Sequence, residues 1–108
     1  MSYSVRTTPN FDREAKRLAK KWPSLGADLK KLFAKLAEEP TTGTSLGGDI
    51  YKIRLSITSL GKGKSGGARV MTYVQVVDKV VYLFSIYHKG ERSTLSDREI
   101  KELLTEIP

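Results

Sequence analysis

Lys52 and Arg54 stand one residue apart in Tyr51-Lys52-Ile53-Arg54-Leu55-Ser56-Ile57, where apolar and polar residues alternate. A period of two is that of a half-buried strand. Tyr51, Ile53, Leu55 and Ile57 should therefore face a core, with both cations on the other side. A second strand reads from Ala68 to Val77, with Val70, Thr72, Val74 and Val76 on one face and Arg69, Met71, Tyr73 and Gln75 on the opposite one. Lys52, Arg54 and Arg69 then become neighbours across two strands. Like charges on adjacent strands repel, and no Asp or Glu is interleaved to pair with them. Such a cluster suits a phosphodiester, because guanidinium groups donate bidentate hydrogen bonds to phosphate oxygens. Neighbouring positive charges also favour the neutral amine of a lysine, which can accept a proton. Fixed cations stabilise charge developing on a phosphoryl oxygen.

Other candidates surround this cluster. Gly61-Lys62-Gly63-Lys64-Ser65-Gly66-Gly67 ends like a phosphate loop, but Thr58 stands where the first glycine belongs. A strand follows it, where a nucleotide needs a helix N-terminus. An NTPase is disfavoured, and the loop instead presents Lys62 and Lys64 beside the cationic strands or is a plain surface connection. His88, the only histidine, ends a strand within Tyr87-His88-Lys89-Gly90-Glu91-Arg92. It fits a turn residue, yet its neighbours are groups that can handle protons. With one histidine and no cysteine, no clustered ligand set is expected and no metal or other cofactor is assigned. Trp22 and Phe33 fall on apolar helix stripes and fit core packing.

The elements that must position these residues are legible from periodicity. Tyr3–Thr8 has β character and stops at Pro9, and Asn10 can cap the helix that follows. Phe11, Ala15, Leu18, Ala19 and Trp22 form one helical stripe before Pro23. Leu25, Leu29, Leu32, Phe33 and Leu36 form a second, with Ser24 as its cap. Thr41–Asp49 is turn-rich, and Asp78-Lys79 is a tight turn into Val80–Tyr87, a strand apolar on both faces. Ser96 and Glu99 make a capping box before Ile100, Leu103, Leu104 and Ile107. The predicted class is α+β with order β-α-α-β-β-β-α, an antiparallel sheet and helices packed on one face, leaving the cationic face open.

The 108 residues fit one domain spanning 1–108, and the net charge is +7. Residues 52–92 hold eight basic and two acidic side chains, and residues 1–36 hold nine basic and three acidic. The helical block reads as a solvated face or as support for RNA phosphates; the strand block holds the clustered cations. The apolar run Val80–Tyr87 is far short of the roughly 20 residues that span a bilayer. The N-terminus has no apolar leader segment. A soluble, cytoplasmic protein with an anionic partner and no membrane association is expected.

The order of elements and the quoted motifs resemble the RelE/HigB-type toxins of bacterial type II toxin–antitoxin pairs over nearly the whole chain. The likeness is carried by Phe11 with Ala15-Lys16-Arg17-Leu18, by Tyr51-Lys52-Ile53-Arg54-Leu55, by Gly61–Val70, by Ile86–Glu91, and by Leu95-Ser96 with the terminal helix. The glycine–lysine loop entering Ala68-Arg69-Val70 looks like the HigB branch. The resemblance implies a microbial-ribonuclease-like fold and a ribosome-dependent mRNA endonuclease that cuts in the A site without a metal. It further implies binding to 16S rRNA and mRNA, and a toxin–antitoxin hetero-oligomer with a cognate antitoxin. Carried over by position, Lys52 and Arg54 match strand cations that contact phosphate and assist proton transfer, and Arg69 matches the arginine that stabilises the transition state. The chain departs from the RelE pattern at Gly90 and near Ser96, which leaves Tyr87, His88, Lys89 and Arg92 as nearby groups for acid–base work. Lys89 and His88 rank first among them. Lys62, Lys64, Tyr73, Tyr87 and Arg92 are assigned to RNA contact.

Two other classes fit the same residues. A ParE-like toxin of this fold would bind a protein target, so its cations need not be arranged around phosphate. A non-catalytic RNA-binding module is the third reading, although the last helix begins Ser96-Asp97-Arg98-Glu99 rather than with a basic turn.

Overall fold

In the computed structural model, which describes residues 2–60 and 67–108, both apolar stripes of the N-terminal region are helices. Strand β1 (Ser4–Thr7) leads into α1 (Pro9–Ala19), and α2 (Leu25–Glu38) follows. The cap of α1 is Thr8 rather than Asn10: Thr8 Oγ1 accepts from Phe11 N at 3.3 Å. Pro9 explains the shift, because its fixed φ and missing N–H suit the first helical position. Ser24 occupies the cap position of α2 but makes no side-chain capping bond.

The sheet has five strands in the order β1-β5-β4-β3-β2. These add β2 (Thr44–Gly47), β3 (Ile50–Leu55), β4 (Ala68–Gln75) and β5 (Val80–His88). Strands β3, β4 and β5 are antiparallel as expected, but β1 runs parallel to β5, so the sheet is mixed. Strand β2 lies in the segment expected to be only turns. It is a four-residue edge strand exposed at every position, so no burial alternation marks it.

The expected packing of all helices on one face is corrected by two separate apolar clusters. Helices α1 and α2 cover one face through Phe11, Leu18, Leu29 and Leu36, against Ile53, Val70, Val81 and Ile86. Helix α3 (Asp97–Leu104), opened by the Ser96/Glu99 capping box, packs on the opposite face. There Leu95, Ile100, Leu103 and Leu104 meet Met71, Phe84 and Tyr87. A helix stripe shows only that some surface must be covered, not which one. Among the described residues no helix is long and apolar enough to cross a membrane.

One irregularity decides which side chains reach which face. Met71 pairs with Ser85 and Thr72 with Leu83, leaving Phe84 as an extra residue in β5. This bulge resets the alternation. Val81 and Leu83 face α1 and α2 before it, and Ile86 does so after it, while Phe84 and Tyr87 face α3.

Candidate functional site

Strand register assembles the cationic residues. Arg54 pairs with Arg69, and Arg69 in turn pairs with Tyr87, giving one row across β3, β4 and β5. Lys52 pairs with Met71 one step along, on the same face. Arg54 is exposed and Lys52 half-buried, whereas Arg69 is only 7% exposed, with Nη1 donating to the Ala68 carbonyl at 3.2 Å. Among the described residues, neither Lys52 nor Arg54 forms an ion pair. The close approach of β3 and β4 beside this row needs Gly67. Its φ is +53° and an added Cβ would lie 2.5 Å from the Leu55 carbonyl oxygen.

Tyr87 closes the row. It is 2% exposed, and burial pushes its phenol above the usual tyrosine range, against a Thr94 hydroxyl and the charges of Arg69 and Arg92 that pull it down. Its Oη lacks a hydrogen bond of full geometry among the described residues. Arg92 lies over the Tyr87 ring, 5.8 Å from Cζ to the centroid. Its Nη2 donates to both Glu99 oxygens at 2.7 and 2.6 Å. The Ser96 backbone N–H, then the Arg92 hydrogen bond, hold the Glu99 carboxyl below its usual range. Arg92 is thus tied to the first turn of α3 at the margin of the row.

The other expected site residues are placed apart. His88 turns to the α1/α2 face, where its ring meets Trp22 edge-on at 5.1 Å and 83°. It lies on the opposite side of the sheet from Arg54 and Arg69, because the bulge sends Tyr87, not His88, to their face. Lys89 is exposed in the turn after β5, its N–H reaching the Gly67 carbonyl at 3.4 Å. Tyr73 shares the cationic face but is four residues from Arg69, about 13 Å along the strand, and packs in the second apolar cluster. Lys62 and Lys64 lie outside the described residues.

Two polar arrangements around the row were not anticipated. Buried Asp28 accepts from Thr58 N at 2.9 Å, Thr58 Oγ1 at 2.6 Å and Ser24 Oγ at 2.8 Å. It anchors the chain leaving β3 to α2. Burial raises its pKa, but the Thr58 and Ser24 hydrogen bonds outweigh this and hold it below the usual carboxylate range. The Ser24–Asp28 spacing of four was the available sequence signal, but the long-range partner Thr58 was not. Beside this anchor, a cleft of about 370 Å³ between α2 and β3 is lined by Lys31, Lys35, Arg54 and Thr58, so positive charge continues over the sheet edge. The second arrangement is at Glu14, whose Oε1 receives Asn10 Nδ2, Ser85 Oγ and Ile86 N. Among the described residues no three His, Cys, Asp or Glu side chains come together as metal ligands.

A mixed five-stranded sheet with a helical hairpin on one face and a cationic row beside a short helix on the other defines a small α+β protein built around clustered arginines. The chain belongs to the RelE toxin family: the family model described as the RelE toxin of the RelE/RelB toxin–antitoxin system matches residues 8–106. Solved structures share the fold. A free-state arginine double mutant of Escherichia coli toxin RelE matches with TM-score 0.66 at 22% identity, covering 100% of both chains. The intact E. coli RelBE toxin–antitoxin complex contains a chain matching with TM-score 0.61 at 24% identity, over 79% of this chain and 94% of that one. A RelBE complex of Mycobacterium tuberculosis gives 0.56 at 19% identity, over 82% and 99%. These relatives are RelE proteins; the narrower likeness to HigB rests on the glycine–lysine loop of the sequence.

Proposed function

We propose that this toxin domain, residues 1–108, is a ribosome-dependent mRNA endonuclease that halts translation and is neutralised by a cognate antitoxin in a hetero-oligomer. The observation that carries this reading is the Arg54–Arg69–Tyr87 row with Lys52 one step along. Two arginines side by side on adjacent strands concentrate positive charge, which favours a bound anion whose oxygens accept their hydrogen bonds. A phosphodiester of mRNA, presented in the ribosomal A site beside 16S rRNA in the cytoplasm, supplies that anion.

The reaction needs no group beyond the RNA and these side chains. The ribose 2′-oxygen attacks the adjacent phosphorus, forming the O2′–P bond as the P–O5′ bond breaks. The products are a 2′,3′-cyclic phosphate and a free 5′-hydroxyl. Lys52 receives the 2′-hydroxyl proton directly or through water, and Arg54 and Arg69 neutralise charge on the non-bridging oxygens. In this scheme the buried Tyr87 phenol, raised above the usual tyrosine range by that burial, is the group assigned to protonate the leaving 5′-oxygen. His88 has no part in this scheme, since it faces Trp22 across the sheet.

Primer extension on mRNA after induction, and on programmed ribosomes with purified toxin, tests the reading. Codon-linked cuts should appear with the wild type and vanish with Arg69→Ala, while circular dichroism stays native. Growth arrest without cuts would favour a ParE-like action on a protein target. Near-wild-type arrest by Arg69→Ala would remove that arginine from the mechanism.

A further inference from the structure

Strand β5 has an outer edge that, among the described residues, no strand covers over its second half. Strand β1 pairs with Val80 to Leu83 only. Beyond Leu83, helix α1 takes over with side chains: Asn10 Nδ2 donates to the Phe84 carbonyl at 3.0 Å. Glu14 Oε1 accepts Ile86 N at 3.2 Å and Ser85 Oγ at 2.9 Å, and the same oxygen receives Asn10 Nδ2 at 2.8 Å. These contacts fall on the bulged residue and the two after it. An extra residue in a strand is tolerated where something other than a regular ladder satisfies its backbone.

The bulge has a consequence for the site. Without it, the alternation set by Val81 and Leu83 would carry Ser85 and Tyr87 onto the α1/α2 face and His88 onto the cationic face. With it, Tyr87 stands across from Arg69 and His88 packs on Trp22. We infer that Glu14 is a positioning residue of the toxin: by holding the Phe84 bulge it selects which of Tyr87 and His88 enters the Arg54–Arg69 row. The catalytic half of this inference rests on the nuclease reading; the register half does not. Glu14 itself lies at the strand edge and acts only through β5.

The chain carries its own reporter, since Trp22 and His88 are its only tryptophan and histidine. Proton NMR detects their ring contact as a nuclear Overhauser effect, and cleavage on programmed ribosomes gives kcat and KM. Glu14→Ala should lose the Trp22–His88 contact and lower kcat about 100-fold with KM nearly unchanged, the size expected for a misplaced group. Glu14→Gln keeps an acceptor oxygen and should retain both the contact and near-wild-type kcat. Retention of the ring contact in Glu14→Ala, or equal damage in both variants, overturns the inference. If Glu14→Ala does not fold, Ser85→Ala removes one bond: a weakened ring contact with reduced kcat supports the assignment, and wild-type values of both overturn it. A wild type that cleaves no RNA, with the contact still lost in Glu14→Ala, sinks the nuclease reading while the register role stands.

Discussion

Arg69 combines two properties that oppose stability, burial to 7% exposure and a second arginine directly across the ladder. Clustered charges of this kind are found at functional sites, where they meet a ligand of opposite sign. Tyr87 is the complementary case, a phenol held neutral by its surroundings rather than by a partner. Tyr87→Phe should therefore fold normally and lower kcat by about 100-fold, within the range for loss of a general acid. Unchanged single-turnover cleavage by that variant would assign proton delivery elsewhere. Asp28 does a different job from the same kind of burial. Its pKa is lowered in the fold, so its contribution is complete above the ordinary carboxylate range and fades as pH falls through the lower folded value. Asp28→Asn should lose about 2 kcal/mol at pH 7, and urea denaturation should show the gap to wild type closing below about pH 4.

Each element contributes a constraint the site depends on. The β3–β4 pair sets Arg54 against Arg69, and Gly67 lets the two strands approach at its beginning. Gly67→Ala places a methyl group against the Leu55 carbonyl at a positive φ. A destabilisation of about 1–3 kcal/mol follows, visible as a lowered thermal midpoint, and cleavage should fall with it. Gly43 makes a second such approach: at φ +103°, an added Cβ would lie 2.6 Å from the Lys52 carbonyl oxygen. Helix α3 is fixed at both ends. Arg92 binds Glu99 in its first turn, and Glu106 just beyond its end accepts the Asn10 N–H at the start of α1. Negative charge at that helix N-terminus is favourable, so α1 and α3 are linked around the edge of β5.

At the scale of the whole molecule, the net charge is +7, and basic side chains of the described residues lie both at the sheet row and on the helical hairpin. Arg54 belongs both to the sheet row and to the cleft it lines with Lys31, Lys35 and Asp28, while Lys16 and Lys20 are exposed on the helical hairpin. Affinity for single-stranded RNA should fall with salt at a slope of about −0.7 per phosphate contacted. Arg54→Gln should flatten that slope by roughly 0.7, whereas Lys16→Gln and Lys20→Gln should leave it unchanged. A slope that responds to the α1 lysines and not to Arg54 would move the RNA to the helical hairpin.

The strand alternation around Lys52 and Arg54, the two helical stripes and the Ser96/Glu99 capping box were legible in the sequence, because each depends on neighbours a few residues apart. The same alternation placed Lys52, Arg54 and Arg69 on one face. Tertiary structure alone decided that α3 lies on that face and that β1 runs parallel to β5, since a stripe of apolar residues does not specify its partner. It also decided between Tyr87 and His88. A strand read as regular gives no sign of the extra residue at Phe84; the bulge is recognised only by its pairing and by Glu14, 70 positions earlier in the chain. Periodicity assigns a residue to a face only until the first bulge, and here that bulge lies three residues before the site.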